Sequence, residues 1–482
     1  MLSSVRLESA NTYSGGTRLE AGELVVANNA SLGSGTLTVA GEIYGSYTDA
    51  LMYGYFFNEY SGGDFGFTAP VLNPDVADLA IANPIQLDSF FAVDVQIGLT
   101  DENLTLSGDI AGSGGLNKIG YGTLTLSGDN SNFDGGLYIT RGTVNVAGDT
   151  SAGSGPIGFG GGTDQTLIFN SLNPSIGGLY EIRPYDDYYY STAIVQLATG
   201  STLTLDVDNL YLNFGGTIQG DGSVRITGDG NQMLSGYNSF TGGLEVAAGA
   251  NLTLGSGSSL RSGATVTLDG GSLTLDGDEE DYFQIELLFG SNGGEIRGNG
   301  GFSFTNPLAI GSGVRISPGR SVGKIEFDGP LELDALGSLS VEIGDGDNAE
   351  VISDVVFANT INITATNSQP FSINLMGENG SLPTNFDPLQ AYSWSVLLAG
   401  AAITNFDAMA FSLNVSNSLQ NLGGEGLWVL QLGSSGNDFG ETFLSNNVVL
   451  LSFTPVPEPS TFALVAIGLI LVTLHAGRRR RA

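Results

Sequence analysis

Short runs of alternating apolar and polar residues dominate this chain. Thr123-Leu124-Thr125-Leu126 alternates with period two, as do Leu137-Tyr138-Ile139, Val144-Asn145-Val146, Leu203 to Val207, Val224-Arg225-Ile226, Val266-Thr267-Leu268 and Leu273-Thr274-Leu275. Such alternation predicts strands with one face buried and one exposed. Glycine pairs and Gly-Asp, Gly-Asn or Asp-Gly steps separate the runs and permit tight turns with positive φ. Helical periodicity is hardly visible before residue 454. Many strands of three to five residues suit a parallel β-solenoid better than a sandwich, whose strands are longer.

A repeat underlies the alternation. Asn11-Thr12-Tyr13-Ser14-Gly15-Gly16 is followed by Gly22 and Leu24-Val25-Val26. Asn130-Ser131-Asn132-Phe133-Asp134-Gly135-Gly136 is followed by Gly142 and Val144-Asn145-Val146, and Asn238-Ser239-Phe240-Thr241-Gly242-Gly243 by Gly249 and Leu252-Thr253-Leu254. In each copy an aromatic precedes the glycine pair by two residues, and a further glycine follows the pair by six. Gly-Ser-Gly then recurs at Gly33-Ser34-Gly35, Gly153-Ser154-Gly155 and Gly255-Ser256-Gly257. A fixed offset found three times marks a repeat architecture.

The stretch Gly114-Gly115-Leu116-Asn117-Lys118-Ile119-Gly120-Tyr121-Gly122-Thr123-Leu124-Thr125-Leu126-Ser127-Gly128 resembles the autotransporter-associated β-strand repeat. That resemblance implies a β-helical passenger-like segment. The expected fold is all-β: a right-handed parallel β-helix or solenoid over 1–348, with repeat copies near 5–40, 114–155 and 224–275. Aromatic insertions near 44–67 and 179–190 interrupt it. From 349 the glycine pairs thin out and longer apolar segments appear, at Val351 to Ile363, Trp394 to Ala402 and Leu427 to Leu432. This predicts a β-rich C-terminal cap region over 349–453. Met1 falls inside the first copy, and no basic n-region or apolar h-region follows it. The expectation is that the true N-terminus and a signal peptide lie upstream.

The tail, 454–482, has a different character. Val456-Pro457-Glu458-Pro459-Ser460-Thr461 is polar and proline-stiffened; Phe462 to Ala476 is a nearly continuous apolar run; Arg478-Arg479-Arg480-Arg481 is a block of cations. The apolar run predicts a transmembrane helix over 462–476. At about 15 residues it spans roughly 22 Å against a hydrocarbon core of about 30 Å, so it is a weak span. Cations beside a membrane segment stay cytoplasmic, which puts the cargo across the membrane. The three elements in this order resemble the PEP-CTERM sorting signal. The resemblance implies an exosortase-type membrane enzyme as partner, cutting near Pro457-Glu458-Pro459, and a final place at the cell surface or in an exopolysaccharide matrix.

Composition narrows the chemistry. The net charge is −35, with fifteen Lys and Arg, four of them in the tail block. No cation occurs between Ile325 and Gly477. Such a surface repels nucleic acid, whose binding needs phosphate neutralisation. Cysteine is absent, which removes disulfides and thiolate metal sites. His475, the only histidine, lies in the apolar tail, so the cargo holds no Ser-His-Asp triad and no histidine metal site.

The remaining candidates are oxygen ligands and aromatics. Asp345, Asp347 and Glu350 have the spacing of part of a calcium loop but not its full twelve-residue pattern. Asp276 to Asp281 is a second acidic knot. Tyr185, Tyr188, Tyr189 and Tyr190, beside Asp186 and Asp187, have the composition of a glycan-stacking surface. A solvated turn and a fold-back onto the solenoid are the structural alternatives for these groups. The reading these residues favour is a non-enzymatic, cofactor-free structural or adhesive protein. A carbohydrate-active β-helix enzyme, lyase or glycoside hydrolase, and a calcium-dependent adhesin stay open beside it.

Overall fold

The computed structural model describes residues 4–40, 70–94, 103–160, 164–181, 191–255, 259–277, 282–319, 322–344, 353–380, 386–387, 389–420, 426–438 and 441–455. They fall into two compact units that divide between Gly294 and Glu295. Almost everything in both is strand. Among the described residues the one α-helix is the single turn Asn417–Gln420.

The first unit is a parallel β-solenoid. Its strands pair with the equivalent strand one coil away: Val224 with Leu244, and Leu244 in turn with Val266. These steps are 20 and 22 residues. One sheet stacks eight strands, from Ser4–Leu7 and Glu23–Val26 through Leu116–Ile119 to Leu179–Glu181. A second face stacks seven, from Leu79–Ile81 through Thr123–Leu126 to Thr217–Gly220.

The core follows from the alternation. Leu104, Leu124, Val144, Leu167, Val195 and Ile218 occupy one register position and are fully buried. Like residues therefore stack on like residues down the interior. Each buried Leu or Val contributes roughly 1.5–3 kcal/mol of transfer free energy. The opposite faces of the same strands carry Thr123, Thr143 and Thr166, all half-buried, in equal register.

The repeat positions turn out to be corner devices. Asn130 is buried, accepts from Ile110 N at 2.7 Å and donates to Ser151 O at 2.6 Å. It thereby ties three successive coils. Asn238 likewise accepts from Ile218 N, at 3.0 Å, and Asn11 donates to Ser31 O, at 2.7 Å. Phe133 and Phe240 close the same corner from inside and are buried, whereas Tyr13 in the first copy is exposed at its edge. The glycine six residues after each pair adopts positive φ in all three copies, at Gly22, Gly142 and Gly249. That φ is costly for any residue with a Cβ.

Lys118 is fully buried, which composition alone does not foretell. Its ammonium donates to Ile119 O, Gly120 O and Arg141 O at 2.9, 2.6 and 3.1 Å. Three carbonyls at one corner compensate the loss of water. Where Glu23 pairs with Val71 the coil step widens, and Glu23–Val26 still stacks directly on Val71–Pro74 although 41–69 lies between them in sequence. The first aromatic insertion itself lies outside the described residues.

In the second unit, parallel pairing continues past residue 349. Lys324–Leu333 pairs with Val355–Ile363, which pairs with Tyr392–Thr404; Ser338–Ile343 pairs with Phe371–Gly377, which pairs with Phe411–Val415. The steps lengthen to 31 residues at Lys324 and Val355 and to 41 at Val356 and Leu397. The last two strands turn antiparallel. Glu441–Pro455 runs antiparallel to Tyr392–Thr404 and to the sheet's outermost strand, Gly426–Asp438. Among the described residues, no helix is long and apolar enough to cross a membrane; the apolar run 462–476 lies outside them.

The corner asparagine gives a direct test. Asn130→Ala deletes two buried hydrogen bonds and strands a backbone N–H, and is expected to cost about 2–3 kcal/mol. Urea unfolding should show it, with the loss concentrated in the coils around Ile110 and Ser151.

Candidate functional site

The chain leaves the folded cargo through the terminal hairpin. Trp428 pairs with Phe453, Leu430 with Leu451 and Gly426 with Pro455. Pro455 closes the strand Glu441–Pro455, and the polar motif at 456–461 follows it directly in sequence. A Cβ on Gly426 would lie 1.8 Å from the Phe453 ring, so glycine is what lets this ring cover the backbone.

Around that exit stands a cluster of five aromatic rings. Phe386 stacks on Tyr392, Trp394 and Trp428 at centroid distances of 4.9, 6.3 and 6.2 Å with interplanar angles of 25°, 17° and 10°. Trp394 and Trp428 lie 5.6 Å apart at 22°. Phe453 meets Phe386 edge-on at 5.1 Å and Trp428 at 4.8 Å. Trp394 and Phe453 are each 3% exposed, whereas Phe386, Tyr392 and Trp428 are half-buried. Asp387 shapes the turn beside the rings. Its N–H donates to the Tyr392 hydroxyl at 2.8 Å, and its carboxylate accepts from Leu389 N at 2.9 Å. Offset and edge-on aromatic pairs add about 0.5–1.5 kcal/mol each beyond their buried area.

The other chemistry of the second unit is ionic. Glu295 accepts from Ser317 Oγ at 2.8 Å and lies 3.6 Å from Arg297 and 3.9 Å from Arg315. Lys324 pairs with Glu326, and its ammonium stands 5.6 Å from the centre of the Phe357 ring. Asp354 is buried and bridges two strands, accepting from Gly323 N and Glu342 N, each at 2.8 Å. Burial pushes its carboxyl up to about 8; the two N–H donors oppose this, and the nearby Glu342 adds to it.

The residues singled out in the sequence fall elsewhere. Val456, Pro457, Glu458, Pro459, Ser460, Thr461 and the block Arg478, Arg479, Arg480 and Arg481 lie outside the described residues. So do Tyr185, Tyr188, Tyr189 and Tyr190, and Asp345, Asp347 and Glu350. Asp276 is described, but Asp278 to Asp281 are not. Among the described residues, no group of three or more acidic or His side chains is placed to hold a metal ion. The aromatic cluster is what sequence reasoning missed. Its signal is Trp394 and Trp428 in two separate apolar runs, the only tryptophans of the chain, but nothing local pairs those runs.

Comparison with known families addresses the repeat and the tail. The Passenger-associated-transport-repeat matches residues 4–26, 116–146 and 227–250, and the PEP-CTERM protein-sorting motif matches 455–481. The chain carries both signatures. The PEP-CTERM motif implies processing by an exosortase-type enzyme, and with the repeat solenoid it marks an exported repeat protein with a surface or extracellular destination. No curated protein matches the chain.

Asp354 yields a pH prediction. Its folded-state value lies above the usual carboxylate range near 4, so the folded form holds the extra proton between about pH 4 and pH 8. Its contribution is full below about pH 4 and is lost as pH rises through about 8. Hydrogen exchange in Ser338–Ile343 is therefore expected to quicken from pH 5 to pH 8 beyond the intrinsic rate. Asp354→Asn should remove most of that excess; an unchanged pH profile in the variant refutes the assignment.

Proposed function

We propose that this chain is an exported, non-enzymatic structural or adhesive solenoid. Its tail holds it in the membrane by the apolar run 462–476 until an exosortase-type enzyme cuts near Pro457-Glu458-Pro459. The cargo then joins the cell envelope or the exopolysaccharide matrix. One observation carries this reading: the PEP-CTERM motif follows the last strand of an all-β repeat protein without a linker.

The surface supports an architectural role. Rows such as Thr123, Thr143 and Thr166 repeat one hydroxyl per coil. A repeated row offers many equal, weak contacts to a polymer rather than a single convergent centre, and such contacts gain by multivalency. The acidic charge favours solubility.

Replacing Pro457-Glu458-Pro459 by three alanines is expected to leave full-length protein in the membrane fraction and to empty the released fraction. Release at the wild-type level removes the sorting reading. Depolymerisation of an acidic or neutral glycan by the released protein removes the non-enzymatic one.

A further inference from the structure

We propose that the aromatic end of the second unit is a lipid-docking surface, seated on the membrane from which the tail emerges; this rests on the membrane reading of the tail given above. Three observations carry it. The first is the exposed apolar rim. Leu389, at the tip of the turn beside Phe386, is 75% exposed, and Leu427, opposite Thr454, is 59% exposed. Leu389 belongs to the turn that carries Phe386, and Leu427 precedes Trp428 at the same end of the terminal strand, on its other face; between them stand the half-buried Phe386, Tyr392 and Trp428.

The second is the tether. Val456 to Thr461 are the only residues between Pro455 and the apolar run that starts at Phe462. Fully extended they reach about 20 Å at roughly 3.3 Å per residue. The hairpin end therefore stays within that distance of the start of the run, and the 27-residue segment matched at 455–481 begins at the patch itself. The third is chemical. Tryptophan and tyrosine, with an apolar body and a polar tip, favour the boundary between headgroups and acyl chains. No Lys or Arg occurs between Ile325 and Gly477, so the attraction is apolar and a zwitterionic lipid suffices. Among the described residues, Asp387 beside Leu389 has its carboxylate engaged with Leu389 N.

The chain supplies its own probe, because both of its tryptophans are in the cluster. Full-length protein is reconstituted into phosphatidylcholine vesicles whose acyl chains are brominated close to the headgroup. A surface buried about 5–10 Å into the boundary should lose about half of its tryptophan emission to such lipids. Trp428→Phe should remove most of the quenching, since Trp394 is the more enclosed ring. Leu389→Asp with Leu427→Asp, both at exposed positions, should abolish quenching while the protein still sediments with the vesicles.

Vesicle-bound wild-type protein with unquenched emission overturns the docking surface and leaves the tail reading intact. Protein that fails to sediment with vesicles overturns the tail reading and the docking surface together. Unquenched emission combined with lost processing of the double variant in cells assigns the patch to the sorting enzyme and overturns the lipid assignment.

Discussion

Backbone hydrogen bonding from coil to coil, in strict register, is the constraint on which the first unit depends. Once Leu124 stands over Val144 and under Leu104, every other residue of those strands has its neighbour set as well. The interior becomes columns of Leu, Val, Ile and Phe, and the exterior becomes rows of Thr, Ser and Asn. A slip of one residue would turn each column outward. The corners carry the burden of preventing that slip. Asn130 links three coils through backbone groups at the turn, and Lys118 binds three carbonyls of two adjacent coils at another corner. Both side chains are polar and both are buried, because a turn inside a solenoid has no water to satisfy it.

The parallel solenoid was readable because each of its signals is local and recurs. Two-residue alternation defines the strands, glycine defines the turns, and the recurring offsets mark the repeat. Asn130 and Phe133 were visible as repeat positions, yet their task was not, since it depends on partners twenty residues away on both sides. The burial of Lys118 is hidden for the same reason: composition assigns lysine to solvent, and only the corner carbonyls compensate its burial. The PEP-CTERM motif was readable because three unlike segments occur in a fixed order at one end.

The aromatic cluster could not be read this way. Phe386, Tyr392 and Trp394 come from one stretch and Trp428 and Phe453 from two others, and their meeting depends on a change of strand direction. Val355–Ile363 and Tyr392–Thr404 pair parallel; Glu441–Pro455 then comes back antiparallel. The reversal gives the last strand a close partner on each side. It also delivers Pro455 to the side of the rings, so the part of the molecule that is least repetitive is the part that meets the sorting tail.

The widened step between Glu23 and Val71 separates two quantities that most folds keep together. The two residues are 48 apart in sequence but occupy adjacent rungs, about 4.8 Å apart. The entropic penalty of closing a longer excursion grows only with the logarithm of its length. Segments inserted at a corner can therefore lengthen, shorten or be exchanged while the rungs keep their spacing. Such a scaffold can change its decorations through evolution at little thermodynamic cost, so long as the strands on either side of the graft keep their register.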